Sequence, residues 1–217
     1  MKHADARKAV ARVYREIARV GLNVGSAGNV SARTRKGMVI TPSGCSAETL
    51  NEAGLVAMTL DGAVKGDATP SSEWSMHAGI YLACPDAAFI VHTHADACTA
   101  LASLNRPLPA FHYLVLEFGG ADVRCAPYVT FGTPELAALA VEAMTDRSAC
   151  LLANHGMIVH GRDPAQALGR ALALETLCRQ YLLACAAGAP RLLNAAEIDA
   201  ARERFKTYGP RKTTDAA

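Results

Sequence analysis

Ala87-Ala88-Phe89-Ile90-Val91-His92-Thr93-His94 is the stretch that decides the architecture. Its first five residues are continuously apolar and too few for a helix, the pattern of a strand buried on both faces. The strand runs directly into His92-Thr93-His94, and a helix is predicted from about Asp96. A strand covered on both sides demands helices above and below its sheet, and the rest of the chain has to supply them.

Upstream, Ala6, Ala9, Val10, Val13, Ile17 and Val20 recur at helical spacing and Gly21 marks the stop, which predicts a helix over 4–20. Short apolar stretches at Val30 and Met38-Val39-Ile40 sit among Gly, Ser, Thr and Asn, as strands joined by tight turns do. Val56 to Leu60 predicts a strand, Asp61-Gly62 a hairpin turn, and Ala63-Val64-Lys65 the return strand. Ser71 and Ser72 precede the helical pattern Trp74, His77, Ala78, Tyr81, which ends near Cys84-Pro85 and puts Glu73 in a first helical turn.

Downstream, Thr133-Pro134 and Asp163-Pro164 each give an N-cap followed by proline at the first helical position, opening helices to about Met144 and about Ala187. Between them, Ala149 to Leu152 and Met157 to Val159 predict a strand pair around Asn154-His155-Gly156, and 195–205 predicts a last amphipathic helix. No internal repeat or linker interrupts the alternation. The expected fold is α/β: one three-layer α/β/α domain over 1–217 about a mixed, largely antiparallel sheet, with about 210–217 a frayed tail.

A length of 217 residues suits a single large core, and 51% hydrophobic with 19% charged residues is ordinary for a globular chain. The formal net charge is +2, with 22 basic and 20 acidic side chains spread along the sequence. No basic stripe results, which argues against nucleic acid as a partner. Met1 to Lys8 lacks the apolar core of a signal peptide and no run is long enough to cross a bilayer, so no membrane partner and a cytoplasmic location are expected. The seven cysteines form no Cys-x-x-Cys pair and are expected as reduced, small apolar fillers.

Residues two apart on a strand face the same way, so His92 and His94 present two imidazoles side by side. Alone, that pair fits two histidines bonded to backbone or water as well as it fits a chelate. His155 adds a third imidazole, from a turn in which Gly156 would let the backbone bend toward a site. Three nitrogens and one carboxylate match the four-coordinate set that zinc accepts, with cobalt or manganese as alternatives. Glu73 is the carboxylate of choice, although a first-turn acid is also favoured by the helix dipole alone. Ser71 and Ser72 at the same helix start offer an anion site. The glycine-containing turns Gly25-Ser26-Ala27-Gly28-Asn29 and Thr41-Pro42-Ser43-Gly44 could close around that anion.

Ser26-Ala27-Gly28-Asn29, Thr41-Pro42-Ser43-Gly44, Ser71-Ser72-Glu73, His92-Thr93-His94, His112-Tyr113 and Asn154-His155-Gly156, in this order, resemble the class II aldolase and adducin head family. Cys125-Ala126-Pro127-Tyr128, Phe131-Gly132-Thr133 and Phe205-Lys206-Thr207-Tyr208-Gly209 make the likeness greatest to its L-fuculose 1-phosphate branch. The resemblance implies a homotetramer with zinc held by Glu73, His92, His94 and His155 in clefts between subunits. It further implies a phosphate pocket from Asn29, Ser43, Gly44, Ser71 and Ser72, a proton donor, Tyr113, from the adjacent subunit, and Phe131 and Tyr208 shaping the substrate pocket.

The implied activity is reversible cleavage of a phosphorylated sugar, an L-fuculose 1-phosphate-like ketose 1-phosphate, to dihydroxyacetone phosphate and a short aldehyde, with Glu73 as proton shuttle. The implied reaction needs no lysine to form a Schiff base; Lys36 and Lys65 lie in predicted exposed turns. Three departures or rivals accompany the resemblance. Ser43 replaces an expected threonine and keeps its hydroxyl. Glu117 stands where a small residue is expected and would retune the sugar end of the site. The 4-epimerase branch places an acid shortly after the Tyr113 region, where this chain has Gly119-Gly120 with Asp122 close by. Aldolases of 5-deoxy- or methylthio-ribulose 1-phosphate, dehydratases and decarboxylases remain alternatives on the same metal site, as does a non-catalytic interaction module.

Overall fold

A computed structural model describes residues 1–207; Tyr208 and the expected tail at 210–217 lie outside the described residues. The elements run α1 (His3–Arg19), β1 (Asn29–Thr34), β2 (Gly37–Ile40), β3 (Val56–Met58), β4 (Val64–Lys65), α2 (Trp74–Ala83), β5 (Phe89–Thr93), α3 (Asp96–Ala102) and β6 (Leu108–Pro109). There follow a 3-10 helical turn (Tyr113–Phe118), β7 (Asp122–Val123), β8 (Cys125–Ala126), α4 (Pro134–Ala143), β9 (Ala149–Leu152), β10 (Gly156–Gly161), α5 (Pro164–Ala187) and α6 (Ala195–Phe205).

Eight strands form one sheet in the order β4-β3-β2-β1-β5-β10-β9-β8, and β6 with β7 makes a separate pair. Within the large sheet β8–β9 pairs in parallel and the other neighbours antiparallel, so the sheet is mixed and largely antiparallel as expected. Its outermost strands, β4 and β8, are two residues each.

The alternation along β5 builds the layers. Phe89 and Val91 join one core with Val10, Val13, Tyr14 and Ile17 of α1, Cys98 and Leu101 of α3, and Ala171 and Leu174 of α5. Ile90 joins a second core on the other face with Met76 and Ile80 of α2 and Leu136 and Ala140 of α4. Helices therefore cover both faces, which is the three-layer α/β/α arrangement. All five β5 side chains are buried, and the interior strands β5 and β10 carry the apolar runs such burial requires.

The capping expectations for the long helices hold in atomic detail. Thr133 accepts from the Leu136 N–H and Asp163 from the Gln166 N–H, each with proline at the helix start. One boundary moves: Glu73 is the N-cap residue of α2 rather than a first-turn residue, and its own N–H reaches Ser71 Oγ at 3.3 Å. The cysteines are free; Cys98, Cys150 and Cys178 are buried fillers, whereas Cys185 is exposed at the outer face of α5, where it fills nothing. Lys36 and Lys65 are exposed, as expected of residues with no place in a site. Among the described residues no helix is long and apolar enough to cross a membrane.

Candidate metal centre

Sheet register assembles the site. Asn29 of β1 and Ile158 of β10 both stand opposite His92 of β5, so the start of β1, the end of β5 and the β9–β10 turn converge at one end of the sheet. His92 points to the same face as Ile90, and His94 follows two residues later. Glu73 arrives from the start of α2, whose approach is fixed by two backbone bonds, Ser43 N–H to Thr69 O and Ser71 N–H to Thr41 O, both 3.0 Å. These stitch the 41–44 turn to the 69–71 segment, where Pro42 and Pro70 form an isolated bridge, and bring Ser43 and Gly44 beside Ser71 and Ser72.

The bend that delivers His155 is made differently from the sequence expectation. Asn154 adopts the left-handed conformation, φ 53°, while Gly156 does not. Gly156 is needed for another reason: a Cβ there would lie 2.3 Å from the Thr93 carbonyl oxygen, so only glycine lets β10 begin this close to β5. Behind His94, the start of α3 is capped from outside the helix. Buried Glu175 of α5 accepts the Ala97 and Cys98 N–H groups at 3.0 Å each and pairs with Arg179 at 2.9 Å.

Glu73, His92, His94 and His155 converge as a group whose ligand atoms all lie within 4.8 Å of one another, an arrangement that could hold a metal ion. His92 Nε2 is 3.1 Å from His94 Nε2 and 3.1 Å from Glu73 Oε2, and His155 Nε2 is 3.2 Å from Glu73 Oε1. The ring centroids are 4.7 to 5.0 Å apart with planes crossing at 70 to 82°, so three nitrogens face a common centre. A tetrahedron with metal–nitrogen bonds near 2.0–2.1 Å has edges of about 3.3 Å, which the 3.1–3.2 Å separations approach, while the whole set extends to 4.8 Å. Two further observations fit a cation. Glu73 Oε1 is buried with no hydrogen-bond partner. His92 Nδ1 donates to the Met157 carbonyl at 2.9 Å, which leaves its Nε2 lone pair turned to the centre.

The electrostatics favour an ionised carboxylate. Burial by itself would raise the Glu73 carboxyl, but the adjacent His92 and His155 rings hold it well below the usual carboxylate range. His94 is pushed down to about 4 by burial and by the neighbouring imidazoles, so it stays neutral and able to coordinate near neutral pH.

The cluster opens on a cavity of about 310 Å³, within the size range of small-molecule sites. Asn29, Ser43, Gly44, Ser71 and Ser72, the expected phosphate residues, all line it, together with Phe131. Asn29 is already engaged: its Nδ2 donates to Glu73 Oε2 at 2.8 Å. Tyr113 is half exposed, stacked on His112, and is not among the residues lining the cavity. Glu117 does not line this cavity; it lines a different one, with Ser148 and His160, at the opposite end of the sheet, where the start of β9 meets the end of β10. Asp122 is bound to Arg147 at 2.6 Å and is likewise not among the cavity's residues.

Sequence reasoning missed Tyr128, which lines the cavity, and a buried set behind Glu73 made of Ser31, His77 and Tyr81. A signal was present for the second: Glu73, His77 and Tyr81 are spaced by four and share one helix face.

Residues 8–182 match the family model described as class II aldolase and adducin N-terminal domain. The 5-methylthioribulose-1-phosphate/5-deoxyribulose-1-phosphate aldolase of Rhodospirillum rubrum is 46% identical over 195 residues, which is 90% of this chain and 88% of that one. The L-fuculose phosphate aldolase of Escherichia coli K12 is 44% identical over 197 residues, 90% of this chain and 92% of that one. A solved L-fuculose 1-phosphate aldolase superposes with a TM-score of 0.89 at 36% identity, covering 95% of this chain and all of the other. Fold, sequence and site agree: the chain belongs to the class II aldolase and adducin N-terminal domain family and is a class II aldolase.

Proposed function

We propose that this aldolase reversibly cleaves a ketose 1-phosphate, resembling L-fuculose 1-phosphate, to dihydroxyacetone phosphate and a short aldehyde. The carrying observation is that the three-histidine and glutamate cluster opens directly on a cavity lined by serine hydroxyls and glycine turns. A divalent cation held by Glu73, His92, His94 and His155, zinc by first choice and manganese or cobalt as alternatives, supplies Lewis-acid polarisation of the substrate carbonyl.

The chain's own groups perform the rest. Ser43, Gly44, Ser71 and Ser72 hold the phosphate through hydroxyl and backbone donors, and the second Asn29 amide proton adds to them. In the condensation direction Glu73 removes a proton from the carbon beside the ketone of dihydroxyacetone phosphate. That carbon bonds to the aldehyde carbon, and Tyr113 of an adjacent subunit gives a proton to the aldehyde oxygen. Phe131 borders the aldehyde end. An inter-subunit site is supported by the half-exposed position of Tyr113 away from the cavity. The enzyme then works as a homotetramer in the cytoplasm.

A second substrate, a 5-deoxy- or 5-methylthio-ribulose 1-phosphate, is favoured by the name of the relative at 46% identity. The two readings share the dihydroxyacetone phosphate half and differ only in the aldehyde.

The test is elemental analysis followed by cleavage assays of the metal-loaded protein on a panel of ketose 1-phosphates, with product identification. Glu73→Gln and Tyr113→Phe should each lose turnover by about 10² or more, and mixing the two variants should restore part of it. A metal-loaded protein inert to the whole panel refutes the proposal.

A further inference from the structure

Beneath the cluster, four hydrogen bonds in series join Tyr81 to Glu73. Tyr81 Oη and Ser31 Oγ are 2.8 Å apart, Ser31 Oγ and His77 Nδ1 2.7 Å, His77 Nε2 and Asn29 Oδ1 2.6 Å, and Asn29 Nδ2 and Glu73 Oε2 2.8 Å. All five residues are buried, His77 and Ser31 completely.

Donor chemistry orders the whole series. An ionised Glu73 only accepts, so Asn29 must turn its NH2 to it and its carbonyl oxygen to His77. That oxygen also only accepts, so His77 carries its proton on Nε2. The Nδ1 lone pair then accepts the Ser31 hydroxyl proton, and the Ser31 oxygen accepts from Tyr81. Every proton in the chain points toward Glu73.

We propose that His77 is a positioning residue for this aldolase: as the neutral Nε2–H tautomer it locks the Asn29 amide, which fixes the Glu73 carboxylate with Oε1 free for the cation. The inference rests on the reading of Glu73 as metal ligand and base. Burial, together with nearby His92, pushes the His77 imidazole down to about 3, and burial pushes the Tyr81 phenol up, so neither His77 nor Tyr81 changes its proton near neutral pH. The outer end is closed by the Arg33 guanidinium, 5.0 Å above the Tyr81 ring. A residue wanted only for volume at this apolar helix face would be aliphatic or aromatic, since a buried polar chain is costly unless every member is satisfied.

The experiment combines two measurements on the full-length protein. The first is the 15N spectrum of the histidine rings in the zinc-loaded wild type, with His77 assigned by the signal lost in His77→Gln. An Nε2–H ring whose signals do not move between pH 5.5 and 8 is expected; an Nδ1–H ring or an imidazolium overturns the proposal.

The second is zinc affinity by competition with a chromophoric chelator. His77→Phe should bind zinc about 10- to 100-fold more weakly, Ser31→Ala should lose less, and His77→Gln, whose amide still donates to Asn29, should recover most of the affinity. Wild-type affinity in a folded His77→Phe overturns positioning, because bulk alone would then suffice. In cleavage assays the larger loss should fall on kcat, through Glu73, and a smaller rise in KM should accompany it, since Ser43, Gly44, Ser71 and Ser72 keep their places and only the Asn29 contribution to the phosphate pocket loosens. Should the wild type cleave no ketose 1-phosphate while tautomer and affinity behave as expected, the functional reading fails and the positioning role stands. If His77→Phe does not fold, the wild-type tautomer and the Ser31→Ala and His77→Gln affinities still decide.

Discussion

Removing the Glu175 carboxylate should loosen the helix that follows His94. The carboxylate accepts two backbone N–H groups, Ala97 and Cys98, at 3.0 Å each, and both donors are buried at the start of α3. Ala95, the residue at the N-cap, offers no side-chain acceptor in its place. Glu175→Ala leaves two buried donors unpaired at about 1–3 kcal/mol each, or about 2–6 kcal/mol together. The pair with Arg179 adds less than about 1 kcal/mol, because the guanidinium is largely exposed. The lower bound already lowers the melting temperature by roughly 4 °C in a chain of this size. Glu175→Gln keeps one acceptor oxygen and should cost about half as much. Thermal melting and amide exchange at Ala97 and Cys98 measure this directly. Because α3 begins two residues after His94, metal binding should weaken in the same order. An alanine variant melting within about 1 °C of wild type, with unchanged exchange at both amides, refutes the reasoning.

Gly156→Ala should fold poorly and lose metal, because its Cβ would meet the Thr93 carbonyl oxygen at 2.3 Å and force β10 away from β5; metal content of any soluble variant checks it, and full zinc occupancy counts against it. His160, lowered to about 4 by burial and by Arg170, is neutral in the fold, whereas unfolded histidine titrates near 6.5. Its contribution is therefore present above about pH 6.5 and is lost as pH falls toward 4, amounting to about 2 kcal/mol between pH 7.5 and 5. Urea unfolding of wild type and His160→Gln at both pH values should differ by that amount; identical pH dependence would remove His160 as the cause. Zinc at a hundredfold excess over its dissociation constant should raise the melting temperature by roughly 5–10 °C, reversibly with chelator. A melting curve unmoved by zinc, manganese or cobalt would mean that the cluster is not a metal site.

Much of this fold is legible because its strongest local signals are also its structural ones. The β5 run, the Thr133-Pro134 and Asp163-Pro164 starts and the Asp61-Gly62 turn each reflect a backbone requirement met within a few residues. The elements that escape are those whose cause is distant. Strands β6, β7 and β8 have two residues each, too short for any periodicity to register. Asn154 takes a left-handed bend that the glycine two residues on would be expected to take, because Gly156 is already committed to the close approach of two strands. The site divides in the same way. His92 and His94 declare themselves by spacing, whereas His155 and Glu73 come from elements that only the tertiary fold brings together. His77 and Tyr81 read as packing positions of an apolar helix, since nothing local reveals that Ser31 and Asn29 of β1 stand opposite them.

The two-residue edge strands bear on how copies of this chain can meet. An open sheet edge is a template onto which another chain can add a strand, and long, flat apolar edges invite aggregation. Here one edge offers only Val64 and Lys65, the other only Cys125 and Ala126. Neither gives enough backbone to seat an incoming strand, and Lys65 puts a charge on the first. Among the described residues, then, the two edges of the large sheet give little for sheet growth from one molecule to the next, which leaves the side chains of helices and loops as the surfaces on which copies can meet with specific geometry and finite extent.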